Sequence, residues 1–214
     1  LHPTLRRQRQ MCIRDRVDDD YLSKNKLEKG TMKLIFDDKE FQKLLTDLKI
    51  IKTVSGGSVA NSIVGLSQLG NSVGFIGKIS NDNFGAKYED GLKEENVNFL
   101  YSKKNEEIPT GTCLILVTPD SERTMCTYLG ISGKINENDL DAEIIKKSEI
   151  VFLEGYLWDE GDAKEAFNKA IIQANKVAMS LSDKFCVDRH KPHFLDLVKN
   201  LSLIHISEPT RQIR

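Results

Sequence analysis

Arginine is nearly missing from the middle of this chain. Of nine arginines in 214 residues, only Arg123 and Arg189 lie between Val17 and Asn200, where all 22 lysines are found. The other seven crowd the ends: Arg6, Arg7, Arg9, Arg14 and Arg16 at the front, Arg211 and Arg214 at the back. Without residues 1–16 and 201–214 the chain holds 24 basic and 30 acidic residues. A net acidic body argues against a protein held to nucleic acid by general positive charge, whose affinity rests on neutralised phosphates. Long apolar runs are missing too. No stretch approaches the roughly 18–20 residues of a membrane span, and the first residues carry no apolar signal-type region. Cysteine is sparse: beyond Cys12 there are Cys113, Cys126 and Cys186, widely spaced and without a CxxC. That pattern gives neither a disulfide framework nor a zinc site, and reduced thiols in a cytoplasm are expected. Internal repeats and low-complexity tracts are absent as well.

The ends call for their own reading. A basic N-terminal arm by itself would suggest a nucleic-acid tail. Yet "MCIRDR" (11–16) and "SLIHISEPTRQIR" (202–214) resemble translated sequencing-adapter read-through. Residues 1–16 and 201–214 are therefore expected to be non-native and stand outside the fold expectations, as an expression scar would.

What is present is an alternation of short apolar runs and helical patterns. "TMKLIF" (31–36) predicts a strand, and "DDKEFQKLLTDL" (37–48) a helix with Asp37 as N-cap and Phe41, Leu44, Leu45 and Leu48 on one face. "KIIKTV" (49–54) predicts a strand running into Gly56-Gly57, after which Val59, Ile63, Leu66 and Leu69 form a helical stripe ended by Gly70-Asn71. "VGFIGKI" (73–79) reads as a strand, and Phe84, Tyr88 and Leu92 as a helix face. "TGTCLILVT" (110–118) and "RTMCTYL" (123–129) predict a hairpin about "PDSE". A helix over about 138–147, the strand "EIVFL" (149–153), a helix carrying Ala166, Phe167, Ala170, Ile171 and Ala174, and the strand "KVAMSLS" (176–182) follow. A last helix is expected to start near Pro192 and bury Phe194, Leu197 and Val198. Strands separated by helices predict an α/β protein with a mostly parallel sheet covered on both faces.

The chemistry centres on "VSGGSVANSIVGLSQLG" (54–70). Glycines between strand and helix let a small ligand approach the backbone. There is no GxxxxGK[ST], Lys78 is too far along to replace its lysine, and there is no GxGxxG with an acidic partner about 20 residues on. A P-loop and a dinucleotide fingerprint are thereby excluded. Gly57 opens the backbone, Ser58 can cap the helix, and Asn61 offers both a donor and an acceptor, a mixture suited to neutral hydroxyls. Helix capping with tight packing explains the same residues equally well.

The wider pattern adds to this. "SGGSVANSIVGLSQLG", "GFIGKISNDNFG", "PDSERTMCTYLG", "LEGYLWD" and "SLSDKFCVDRH", in this order over about 17–200, together resemble the PfkB (ribokinase-like) sugar and nucleoside kinases, and among them the adenosine-kinase-like bacterial branch. The resemblance implies a mostly parallel sheet flanked by helices, with a small β lid drawn from parts of 17–36 and 100–129. It implies ATP-dependent phosphorylation of a sugar or nucleoside hydroxymethyl group, with Mg²⁺ and an adenosine-type acceptor favoured. Gly57, Ser58 and Asn61 match the family's sugar-hydroxyl contacts, and Glu154 matches a polar contact at a strand end or is a solvated loop carboxylate. Arg123 is a lid residue or an exposed hairpin charge. Asp82 and Gly85 match a DxxG turn that starts a helix. His190 and His193 lack a third metal ligand and read as surface residues. Asp183 and Asp188 lie beyond a strand's C-terminal end, the edge where open α/β sheets bind ligands, without an assignable role.

The departures are as informative. The family's late Gly-Ala-Gly-Asp motif, its Asn-x-x-Glu element expected just after residue 200, and the first strand whose Asp grips the sugar do not occur here. The elements that bind ATP and Mg²⁺ are therefore expected to be absent, and the chain reads as a truncated acceptor-binding part. General-base catalysis contributes about 10²–10⁴-fold and each anion-stabilising donor about 10²–10³-fold, so a chain without both is expected to be inactive. It would also expose an unpaired apolar sheet edge. A non-catalytic nucleoside- or sugar-binding protein is the alternative. The partners expected are small molecules rather than nucleic acid or membrane, and the oligomeric state stays open.

Overall fold

The computed structural model describes residues 11–46, 48–49, 52–101, 105–159, 163–182, 184–201 and 203–205. The chain divides into two compact units, Leu1–Ser132 and Gly133–Arg214.

In the first unit β1 (Met11–Arg16), α1 (Asp19–Lys24), β2 (Met32–Ile35), α2 (Asp38–Thr46) and β3 (Lys52–Val54) come first. Then follow α3 (Ser58–Gln68), β4 (Gly74–Phe75), α4 (Asn83–Lys93), β5 (Asn98–Phe99), β6 (Thr112–Val117) and β7 (Arg123–Tyr128). Five strands make one sheet in the order β2-β7-β6-β1-β3. β2 runs parallel to β7 and β1 parallel to β6, while β6/β7 and β1/β3 are antiparallel. Because side chains alternate across a strand, Ile13, Ile35, Leu114, Leu116, Cys126 and Tyr128 share one face, which α1 and α2 cover with Leu22, Phe41 and Leu44. Phe41 stacks on Tyr128 with ring centroids 5.5 Å apart. The other face carries Cys12, Cys113 and Ile115, with Val117 and Met125 beside them. Asp37 starts α2, accepting a hydrogen bond from the Lys39 N–H at 3.0 Å.

The second unit contains α5 (Ala142–Lys147), β8 (Val151–Glu154), α6 (Ala163–Gln173), β9 (Val177–Ser180), α7 (Lys184–Asn200) and β10 (Leu203–His205). Its sheet has the order β10-β9-β8 and is parallel throughout. Phe167 and Ala170 of α6 and Cys186 and Phe194 of α7 pack with Leu153, Val177 and Met179 of the strands, and Trp158 joins them. The whole is the α/β class expected, a mostly parallel arrangement flanked by helices. β2, β6 and β7, which fall in the ranges expected for the lid, share one sheet.

Several expectations are corrected. Residues 11–16 and 203–205, left outside the fold expectations, form β1 and β10. Strand pairing is made by backbone groups, which every residue but proline supplies, so a segment's pairing does not depend on where its side chains come from. β10 pairs with β9 and is itself an edge of that sheet. The strand expected over 73–79 shrinks to Gly74–Phe75, paired with β5. There the Phe75 ring folds over Gly77, where a Cβ would lie 2.4 Å from it, and the chain leaves the ladder. The α3 stripe is displaced: Ala60 and Val64 are buried, whereas Leu66 is 42% and Leu69 80% exposed. At about 100° per residue, Ala60 and Val64 lie roughly a quarter turn beyond Val59 and Ile63. The helix expected over 138–147 is split by caps. Asn136 and Asp139 close a capping box on the short 3₁₀ turn Glu137–Asp139, and Asp141 then caps α5. Finally, α7 starts at Lys184 and runs through Pro192. An interior proline costs about 3 kcal/mol or more. Cys186 and Phe194, 0% and 2% exposed on either side of it, hold the helix together across that position.

Candidate functional site

The glycine turn is held from below by α4. The Ser55 hydroxyl donates to the Lys87 carbonyl at 3.2 Å, and α4 comes so close that a Cβ on Gly91 would lie 2.6 Å from Ser55 Oγ. Gly57 then takes φ +119°, a backbone conformation that L side chains rarely adopt. Its carbonyl accepts the Asn61 N–H at 3.0 Å and so closes the first turn of α3. Gly57 is thus the N-cap, and Ser58, expected to cap, is the first helical residue instead. The positive φ of Gly57 sets the entry one residue earlier. A glycine cap has no side chain of its own for the leading N–H groups, and the first turn of the helix contains no acidic residue. Beside it, Asn61 Oδ1 is buried and has no hydrogen-bond partner among the described residues. An unsatisfied buried acceptor costs about 1–3 kcal/mol, so this atom is poised for a donor from outside the chain. At its far end α3 closes in a Schellman turn: Gly70 at φ +87°, with Asn71 N–H on Leu66 O at 3.1 Å and Gly70 N–H on Ser67 O at 2.8 Å.

Asp82 and Gly85 start a helix as expected. Asp82 caps α4 through the Gly85 N–H at 2.7 Å and also accepts the Thr110 N–H and hydroxyl, each at 2.8 Å. This ties α4 to the foot of the hairpin. Arg123 opens β7 opposite Val117 and is half-buried rather than exposed, with no ion-pair partner among the described residues. Lys78 is buried, its Nζ 3.9 Å from Glu106. A cleft of about 940 Å³ lined by Asp15, Tyr21, Leu48, Val117 and Thr118 includes none of the candidate residues.

In the second unit Glu154 ends β8 and is not a loop carboxylate adrift in solvent. It is half-buried, and the Ser182 hydroxyl donates to its Oε1 at 2.7 Å. Sequence reasoning passed over Ser182; two serines at the C-terminal end of a parallel strand were the signal that could have found it. His190 and His193 lie within α7 rather than near its start. Among the described residues no three His, Cys, Asp or Glu gather as a metal site. Asp188 pairs with Lys184, and Asp183 lies outside the described residues. The four cysteines are buried and unbridged. Burial pushes the Cys126 thiol up to about 12. The Cys12 thiol is raised by its hydrogen bond with Cys113 and by burial. At the hairpin turn, Lys29 and then Thr118 hold the Asp120 carboxyl down at about 2.

A mixed sheet in one unit, a parallel sheet in the other and a glycine-capped helix after a strand are the features of an α/β protein of the ribokinase-like kind. The chain belongs to the pfkB family of carbohydrate kinases, whose profile matches residues 28–212. It is similar to the adenosine kinase of Sinorhizobium meliloti at 32% identity, with a TM-score of 0.83 over 92% of this chain and 62% of that one. A probable sugar kinase protein from Rhizobium etli CFN 42 is similar at 31%, also with TM-score 0.83, over 92% of this chain and 61% of that one. The 5-dehydro-2-deoxygluconokinase of Clostridium botulinum (strain Eklund 17B / Type B) is 31% identical over 152 residues, 69% of this chain and 44% of that protein. The chain thus spans less than half the length of that curated relative.

Proposed function

We propose that this chain is the acceptor-binding part of an ATP-dependent kinase that phosphorylates a sugar or nucleoside hydroxymethyl group, with an adenosine-type nucleoside favoured. The observation that carries the reading is Asn61 Oδ1, buried and without a hydrogen-bond partner among the described residues, beside the glycine-capped end of α3. A sugar hydroxyl donates to such an oxygen, which neither a fully ionised phosphate nor an apolar group does. Gly57, Ser58 and Asn61 are the contacts we assign to hydroxyls, with Glu154 and Arg123 as further acceptor contacts. The likeness to an adenosine kinase at 32% identity supports the nucleoside preference.

ATP and Mg²⁺ belong to the complete protein. The sequence has no Gly-Ala-Gly-Asp, the motif to which the family resemblance gives the phosphate-handling role. No step of phosphoryl transfer is therefore assigned to this chain's side chains. Isothermal titration of the chain with adenosine, D-ribose and D-fructose, beside a phosphorylation assay on the full-length gene product, tests the proposal. Binding by the chain with ATP-dependent phosphorylation by the full product is expected. Binding without phosphorylation of any of the three by the full product would instead mark a non-catalytic nucleoside- or sugar-binding protein.

A further inference from the structure

β8 and β9 are adjacent parallel strands, in register at Glu154 and Ser180, and side-chain hydrogen bonds link their C-terminal ends. The chain there is bent into a costly form. Ser182 takes φ +67°, in the left-handed region that a non-glycine residue enters at a cost of order 1–3 kcal/mol. It is nonetheless only 6% exposed and fixed from two sides. Its N–H donates to Ser180 Oγ at 3.2 Å, and its hydroxyl donates to Glu154 Oε1 at 2.7 Å. The residue that follows β8 completes the fit. A Cβ on Gly155 would lie 2.9 Å from the Ser180 carbonyl oxygen and 3.0 Å from Ser182 Oγ, so only glycine lets the strand ends close. The Gly155 carbonyl in turn accepts from Cys186 Sγ at 3.1 Å, which joins the turn to α7. Lys26, Asn96 and Ser121 also take positive φ, but Ser182 alone of the four combines it with burial and a hydrogen bond to a candidate site carboxylate, which motivates a functional reading. Packing alone would be served by glycine at position 182, without the strain and without a buried hydroxyl.

We propose that Ser182 is a positioning residue: its strained backbone aims a hydroxyl at Glu154 and holds the carboxylate in one orientation to accept a hydroxyl of the acceptor sugar. This rests on the reading of Glu154 as an acceptor contact. A glutamate has three side-chain torsions, and fixing them before binding removes an entropic cost that the ligand would otherwise have to overcome. A carboxylate accepts and does not donate, so the group it selects is a hydroxyl or amine on the ligand.

The test is a cycle between protein and ligand. Ser182→Gly keeps the backbone conformation and removes only the hydroxymethyl group; circular dichroism and melting confirm the fold. The chain, Ser182→Gly, Glu154→Gln and Asn61→Ala are titrated with adenosine and with its 2′-deoxy and 3′-deoxy analogues. In the unsubstituted chain, one analogue is expected to bind about tenfold more weakly than adenosine, the scale of one hydrogen bond to a charged group. Ser182→Gly should weaken adenosine about tenfold and remove the penalty for that same missing hydroxyl, as Glu154→Gln does. A variant that keeps the full penalty, or weakens all three ligands equally, overturns the proposal, because a merely structural serine would act so. If Asn61→Ala loses affinity while Ser182→Gly does not, the acceptor reading stands and the positioning role falls. No binding of any ligand by the unsubstituted chain overturns both.

Discussion

Asn61 and Asp15 are both polar residues with buried atoms, and they predict opposite outcomes on removal. The Asn61 amide oxygen has no partner among the described residues, so Asn61→Ala takes away a group that costs the free chain stability. Melting should be unchanged or slightly higher, while affinity for the acceptor falls about tenfold or more; calorimetry reads both. Asp15 lies on the apolar face of β1 with Ile13 and is 4% exposed, its carboxylate accepting the Arg16 N–H at 2.7 Å. Replacing it with valine swaps a poorly compensated polar group for a strand former, and should raise stability by about 1–3 kcal/mol in urea denaturation. Cys126 sets a pH limit. Its folded pKa of about 12 stands above the ordinary 9.0, so its contribution is complete below pH 9 and is lost as pH rises towards 12. The melting temperature of the chain should therefore fall more steeply over pH 9–11 than that of Cys126→Ala.

At the scale of elements, two glycines of α4 separate a contact that yields from one that does not. Alanine is the better helix former by about 1 kcal/mol. At Gly91 the new Cβ meets the Ser55 hydroxyl at 2.6 Å, which can turn away at the loss of its bond to Lys87. It also meets Ser55 Cβ at 3.2 Å, which needs a shift of a few tenths of an ångström, so gain and loss nearly cancel. Gly91→Ala should leave the melting temperature within a degree or two but loosen the glycine turn, and with it acceptor affinity. At Gly85 the Cβ would lie 2.1 Å from the Ser80 carbonyl oxygen, which belongs to the backbone and cannot turn away. Gly85→Ala should cost about 1–3 kcal/mol in urea denaturation. The sequence made such elements legible where local chemistry decides: the Asp82 cap, the Gly70 stop, the hairpin and the alternation of strand and helix. It concealed what depends on distant neighbours. The buried row of α3 is chosen by α4 and the short β4/β5 pair, Pro192 is carried by the core on either side, and Ser182 matters only because β8 ends beside it.

For the molecule as a whole, the expectation is recognition without chemistry. With ATP, Mg²⁺ and adenosine, the 214-residue chain should transfer no phosphate above background in a coupled assay, and the full-length product should. Transfer by the chain alone would place catalytic groups among residues to which no such role is assigned here.

β1, the first strand among the described residues, lies inside its sheet rather than at an edge, between β3 and β6. When the 214-residue chain is expressed as it stands, Met11–Arg16 leaves the ribosome long before Thr112–Val117, its parallel partner. At about 5–20 residues per second, some 100 residues of synthesis leave β1 with an unpaired flank for about 5–20 seconds. The five-stranded sheet is therefore a late event of synthesis. Until β6 appears, that flank is open to any other extended chain nearby, so yield should depend more on how fast and how crowded translation is than on the stability of the finished fold.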